Sequence, residues 1–192
     1  MNRQTFSLSH WTKATFLGWF VGIILIIVLS STLDSVGVEG VQFYLGVGLG
    51  AGIGFFQWRV LKEITGVNLS WLWSSLLGLG VPFLLFDLVS MYSAQPLGSK
   101  YLPLSVGTSA VFIGVLQYFI LKKFSPAAHL WIIGSIAGWI LAASAVLCID
   151  YIKLIIHHNL ALFIINLIMI LGGGVVLGLI TGLSIKKILG TK

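Results

Sequence analysis

The polar side chains that interrupt long apolar segments are the residues from which this sequence could draw chemistry. Gln57 and Gln117 occur in two related segments, GFFQWRVLK at 54–62 and GVLQYFILK at 114–122, and Thr181 holds the corresponding place 64 residues after Gln117. Amide and hydroxyl groups at such positions can join neighbouring helices by hydrogen bonds of roughly 0.6 to 2 kcal/mol each. The alternative is that these three residues form a polar ring that binds a lipid headgroup, another ligand or a pigment.

Asp87 and Pro82 lie in one apolar segment and have no counterpart in the related segments. Asp87 follows Trp71 by 16 residues, or about 24 Å along a helix, which places it near the far boundary of a membrane. We expect its carboxylate to reach that interface or to pair with a helix end, and a specific site is the alternative. Pro82 removes a backbone hydrogen bond in the middle of its segment, so we expect a kink that could line a pocket.

The remaining ionisable residues do not form an arrangement typical of an enzyme. The sequence contains no nucleophile next to a base, no paired carboxylates and no zinc-binding helix motif. His157 and His158, with Asp150 upstream, come nearest to a metal cluster. Adjacent histidines on a helix point about 100° apart, so they rarely share one ion. We therefore predict an exposed loop pair there, no metal site and no catalytic activity.

Composition indicates which kind of element must position these residues. The chain has 192 residues, of which 58% are hydrophobic and 8% are charged, whereas soluble domains carry about 25% charged residues. Lipid must therefore be the main solvent. The net charge of +6 comes from basic residues at the ends of apolar segments. Since they form no basic stripe, we predict no nucleic-acid partner.

Six apolar segments are each about 20 residues or longer, enough for a helix to cross a ~30 Å hydrocarbon core. They cover residues 12–33, 41–61, 71–91, 102–121, 130–151 and 160–185. The sequence thus predicts an all-α integral membrane protein with six transmembrane helices, forming a single membrane domain over residues 1–192.

An internal repeat organises these helices. A spacing of 60 residues relates three tryptophans and three glycines, which are Trp11, Trp71 and Trp131 and Gly18, Gly78 and Gly138. Because a fixed period indicates stacked or symmetric units, we predict three parallel two-helix repeats over about 11–62, 71–122 and 131–186. A pseudo-threefold axis along the membrane normal would relate them.

Two further sets of repeated residues suggest structural roles. Small residues four positions apart allow helix backbones to approach closely, and we assign helix packing to Gly50, Gly54, Ala110, Gly114, Gly174 and Gly178. The three repeated tryptophans begin the odd-numbered helices at one membrane boundary. We interpret Trp11, Trp71 and Trp131 as an aromatic belt at that interface.

The distribution of basic residues predicts the orientation. Nine of them lie on one side of the predicted membrane, and only Lys100 and Lys153 lie on the other. The nine are Arg3, Lys13, Arg59, Lys62, Lys122, Lys123, Lys186, Lys187 and Lys192. By the positive-inside rule both termini are cytoplasmic.

The repeated pattern G-x-x-Q-[WY]-x-x-L, at residues 54–61 and 114–121, resembles that of a group of uncharacterised multispanning bacterial proteins, notably from cyanobacteria. The resemblance covers most of the chain and implies a bacterial inner membrane or a thylakoid membrane. The sequence departs from the repeated pattern at two places. In the third copy Thr181 replaces the glutamine, and the first copy has Arg59 where the second has Phe119. The group supplies no established activity.

We therefore expect a non-catalytic accessory or scaffold subunit of a larger membrane complex, which could be photosynthetic. Its partners would be the lipid bilayer and either another membrane protein or a second copy of the chain. One alternative is a carrier or channel for a small or apolar solute, which would use the pseudo-threefold axis or the Pro82 kink. A mid-depth cavity lined by Thr108, Ser109 or Ser144 would favour it. Another is a lipid- or pigment-binding protein. No required cofactor is predicted, although bound lipid is expected and chlorophyll or a carotenoid could bind.

Overall fold

A computed structural model describes residues 6–93, 97–148, 152–153, 155–156 and 158–190. Within these residues the backbone forms six long helices and no strand. The helices are α1 (Leu8–Ser35), α2 (Phe43–Thr65), α3 (Ser70–Tyr92), α4 (Tyr101–Leu121), α5 (Leu130–Leu147) and α6 (Asn159–Gly190). Each predicted apolar segment coincides with one helix. Several helices extend beyond their apolar segment, since polar residues at the interface can continue a helical turn.

Five of the six helices are long and apolar enough to cross a membrane, so the prediction of an integral membrane protein is confirmed at that level. The exception is α2, whose 23 residues are long enough but less apolar. Five glycines in α2 alternate with other residues, and Gln57 and Arg59 follow them. These residues lower the mean hydropathy of α2 below that of its neighbours.

The helices form a closed ring. Each long helix packs against the helices before and after it in the chain, and α1 also packs against α6. The link between α2 and α3 covers only residues 66–69, and short links of this kind join antiparallel neighbours. The starts of the odd-numbered helices and the ends of the even-numbered helices therefore share one end of the ring. We call this the basic end, because most of the lysines and arginines lie there.

Local signals define the helix boundaries at the basic end. The side chain of Ser7 caps α1 by accepting a hydrogen bond from the His10 amide. Gly66 ends α2 in the left-handed conformation, with a φ of 73°, and its amide bonds to the Lys62 carbonyl. Ser125 caps the short 3₁₀ turn Pro126–His129, which leads into α5. The turns at this end are therefore specified by the sequence itself.

Glycines bring the helices close together. A Cβ atom on Gly18 of α1 would lie only 2.6 Å from the Cα atom of Ile53 in α2. The other small residues predicted to pack also lie at helix contacts. A Cβ on Gly50 or Gly178 would meet the backbone of a neighbouring helix, whereas a Cβ on Gly54 or Gly174 would meet the side chain of Ser75 or Trp19. A Cβ on Gly114 would come no nearer than 3.3 Å to its neighbours, and Ala110 is fully buried. Backbone contact without intervening side chains is the arrangement expected between membrane helices.

Candidate functional site

Three tryptophans form a cluster in the centre of the ring at the basic end. The ring centroids are 6.4 Å apart for Trp11 and Trp71, 6.1 Å for Trp11 and Trp131, and 5.2 Å for Trp71 and Trp131. The interplanar angles of 78°, 90° and 60° are those of edge-to-face pairs. All three side chains are at most 1% exposed. The aromatic-belt prediction is wrong for these residues, because belt side chains must face the interface and these face one another.

Polar side chains surround the tryptophan cluster and bond to it. The Trp131 Nε1 donates to the Gln117 Oε1 at 3.0 Å, and the Trp11 Nε1 donates to the Thr181 Oγ1 at 3.0 Å. The Gln117 Nε2 in turn donates to the Ser75 Oγ at 2.8 Å. All of these residues are buried. The polar groups thus bond to the protein itself at the level of the cluster.

Gln57 forms a separate, buried bond to α1 at the same level. Its Nε2 donates to the Thr15 Oγ1 at 3.1 Å, just as Gln117 bonds to Ser75 one repeat later. Trp71 departs from this pattern, since its buried Nε1 has no hydrogen-bond partner within the described residues. Each of the two glutamines therefore bonds to the other helix of its own hairpin.

Sequence reasoning missed the hydroxyl partners of the glutamines. Thr15, Ser75 and Ser135 are spaced by 60 residues, like the tryptophans, and all three are buried. The Ser135 Oγ donates to the Ala110 carbonyl at 3.5 Å instead of meeting a glutamine. The period of 60 was the signal that could have identified this set.

Asp87 forms a second buried polar site, at the opposite end of α3. One carboxylate oxygen accepts from the Gln42 amide at 2.9 Å and from the Phe43 amide at 2.7 Å, and the other accepts from the Tyr101 hydroxyl. These amides belong to the N-terminus of α2, where unpaired donors and the helix dipole favour an anion. Of the two expectations for this carboxylate, the structure shows the pairing with a helix end: Asp87 is 1% exposed and does not reach the interface.

The other predicted positions lie apart from these two sites. Pro82 is buried within α3, which continues to Tyr92. Ser109 is buried and donates to the Leu79 carbonyl at 3.3 Å, whereas Thr108 and Ser144 are exposed, so the structure does not gather the three in one site. Asp150 and His157 lie outside the described residues. The His158 Nδ1 accepts from the Ala161 amide at 3.4 Å, near the start of α6.

Comparison with models of protein families, with curated proteins and with solved structures finds no match. The class of the protein is therefore defined by the fold alone: it is a multi-helix bundle with the apolar surfaces of an integral membrane protein.

Proposed function

We propose that the protein is a non-catalytic scaffold or accessory subunit of a larger membrane assembly. The observation that carries this proposal is the set of buried hydrogen bonds at the level of the tryptophan cluster. Gln57, Gln117 and Thr181 bond to partners within the bundle, so their polar groups serve helix packing instead of facing a ligand. A tightly packed core combined with many exposed apolar side chains suits a protein that acts by contact with other membrane proteins.

The proposed architecture behind this role is a pseudo-threefold bundle of three hairpins. Its support is that Trp11, Trp71 and Trp131 meet in one cluster although they begin different hairpins. Further support comes from two glutamine bonds that each span 42 residues. An experimental structure in which residues 11–62, 71–122 and 131–186 fail to superpose would contradict this proposal.

The outer halves of α1 and α6 are the proposed docking face for a partner. Only 17% of the most apolar window of each of these helices is buried, against 39%, 44% and 33% for the spans containing α3, α4 and α5. Beyond Gly22 of α1 and before Gly173 of α6, no described residue of either helix is buried. The two helices are neighbours in the ring, and both half-helices expose large apolar side chains, among them Ile27 and Val28 of α1 and Phe163 and Ile168 of α6.

A carrier or channel is the less favoured function. The tryptophan cluster fills the centre of the ring at the basic end, where a solute following the axis would have to pass. We further propose that both termini are cytoplasmic and that the membrane is a bacterial inner or thylakoid membrane. In the thylakoid case, pigment should co-purify with the assembly.

Affinity purification of the full chain from native membranes in mild detergent tests the scaffold proposal. We expect a stoichiometric membrane-protein partner that is lost from Ile27→Trp and Ile168→Trp variants, since these residues are 60% and 62% exposed on the docking face. Leu85→Trp is the matched control, because Leu85 is 53% exposed on α3. Recovery of the isolated chain alone would contradict the proposal, and equal loss of the partner in all three variants would contradict the docking face.

A further inference from the structure

A cleft of about 340 Å³ lies between α1 and α2 at the basic end. Its lining includes four residues with ionisable side chains, His10, Lys13, Arg59 and Glu63, and also Leu17 and Phe56. None of these residues belongs to the tryptophan cluster or to the polar network around it. The cleft is open on the outside of the ring, where a transmembrane bundle meets lipid.

The lining of the cleft is layered along the membrane normal. The bond between Gln57 and Thr15 fixes the register of the antiparallel helices α1 and α2. Lys13 and Arg59 each lie two residues from that pair on the side of the basic end, or about 3 Å along the helix axis. Leu17 and Phe56 lie on the other side of the pair, deeper in the bundle. The cleft therefore has a charged rim above an apolar floor, which matches the headgroup and acyl chain of a lipid.

This charged rim occurs in one hairpin only. The repeat spacings of 60 and 64 place exposed apolar residues where the first hairpin has Lys13 and Arg59. These are Trp73 and Phe119 in the second hairpin and Ile133 and Leu183 in the third. A general preference for basic residues at a cytoplasmic boundary would act on all three hairpins alike. The difference therefore indicates a requirement specific to the groove between α1 and α2.

We propose that this cleft binds one anionic phospholipid with a singly charged phosphodiester headgroup, of the phosphatidylglycerol class. Lys13 and Arg59 would hold the phosphate, which both side chains recognise through charge-assisted hydrogen bonds. Glu63 offers an acceptor for the hydroxyl groups of the headgroup, and Leu17 and Phe56 pack against an acyl chain. Two cations and one carboxylate leave a single positive charge, which complements one phosphodiester. This inference does not depend on the scaffold role.

Native mass spectrometry of the full chain in detergent, titrated with short-chain phosphatidylglycerol or with phosphatidylcholine of the same chain length, tests the site. We expect a Lys13→Gln/Arg59→Gln variant to bind phosphatidylglycerol about 30-fold more weakly, from about fivefold per basic residue. A Lys122→Gln/Lys123→Gln variant is the control, because it removes two charges at the same end but outside the cleft. Its binding should stay unchanged.

Three outcomes would overturn the proposal. The first is equal binding of phosphatidylglycerol by the wild type and the cleft variant, and the second is equal binding of phosphatidylcholine and phosphatidylglycerol by the wild type. The third is displacement of the lipid by glycerophosphoglycerol, its water-soluble headgroup, at equal concentration, since the site would then recognise a free phosphate ester. A Lys13→Arg/Arg59→Lys variant keeps both charges and should retain lipid, which separates lost recognition from lost folding.

Discussion

The Gln117→Leu substitution is the sharpest test of the polar network, because it keeps the side-chain volume and removes two hydrogen bonds. Gln117 is 1% exposed, and it accepts from the Trp131 Nε1 while donating to the Ser75 Oγ. Ser75 keeps a partner after the change, since its hydroxyl also donates to the Trp71 carbonyl at 2.9 Å. The indole N–H of Trp131 is left without an acceptor. An orphaned buried donor costs about 1 to 3 kcal/mol, and the lost bond to Ser75 adds about 0.6 kcal/mol.

We therefore expect Gln117→Leu to lower the free energy of unfolding by about 2 to 4 kcal/mol. Gln57→Leu should lower it by only about 0.6 to 2 kcal/mol. The smaller loss follows because the Thr15 hydroxyl loses a donor but can turn to its own helix, as Ser75 does. Reversible unfolding in mixed detergent micelles, followed by circular dichroism, measures both values.

A double-mutant cycle with Trp131→Phe isolates the indole bond. Gln117→Leu together with Trp131→Phe removes both partners, so the combined cost should be less than the sum of the single costs by about 0.5 to 3 kcal/mol. Additive costs, or equal costs for Gln117→Leu and Gln57→Leu, would refute the reasoning. An unchanged melting temperature in the Gln57→Leu/Gln117→Leu variant with loss of a stoichiometric bound molecule would instead assign the network to ligand binding.

Three further predictions follow from single positions. Gly18→Ala should destabilise the bundle by about 1 to 3 kcal/mol in the same unfolding assay, because its Cβ would meet the α2 backbone; Gly107→Ala, with nothing within 4 Å, should be neutral or stabilising, and the reverse order would contradict the packing described. Asp87→Ala should lower the melting temperature more than Asp87→Asn, because asparagine keeps one acceptor oxygen for the amides of α2. Equal shifts in melting temperature would argue against a stabilising role for the bonds between Asp87 and the start of α2. In a Cys148→Ser background, Val38→Cys should react with a membrane-impermeant maleimide from outside intact cells, since Val38 is 41% exposed in the link between α1 and α2; labelling only after lysis would reverse the orientation.

Hydropathy predicted the six helices well, but it could not give the rotation of each helix. Trp11 lies at the start of the first apolar segment. Its hydropathy is the same whether its side chain faces the membrane interface or the interior of the bundle, so hydropathy cannot distinguish the two. The buried residues of α1 nevertheless follow one helical stripe, which runs through Trp11, Ala14, Thr15, Gly18, Trp19 and Gly22. Small residues at helical spacing mark the packed face of a membrane helix. Because Trp11 lies on the same face as these small residues, the sequence could have predicted that its side chain faces the interior.

The hydrogen-bond partners of Asp87 could not be predicted from the sequence for a different reason. Its partners are backbone amides 44 and 45 residues away, and every non-proline residue carries such an amide. The antiparallel packing of α2 against α3 brings the end of α3 beside the start of α2, but only the rotation of α3 turns the carboxylate towards those amides. The cleft at Lys13 and Arg59 was hidden similarly, because two basic residues on different helices become one site only once the register is known.

The contact between α1 and α6 has a consequence for biogenesis. Until α6 enters the membrane, the other helices form an open arc, with the inner stripe of α1 exposed along one edge. The Trp11 indole then lacks its acceptor, which lies 170 residues later in the chain. Any intermediate without α6 therefore holds this donor without its native partner. The final helix converts the arc into a ring, and this last step makes the assembly of the whole bundle dependent on its most distant segment.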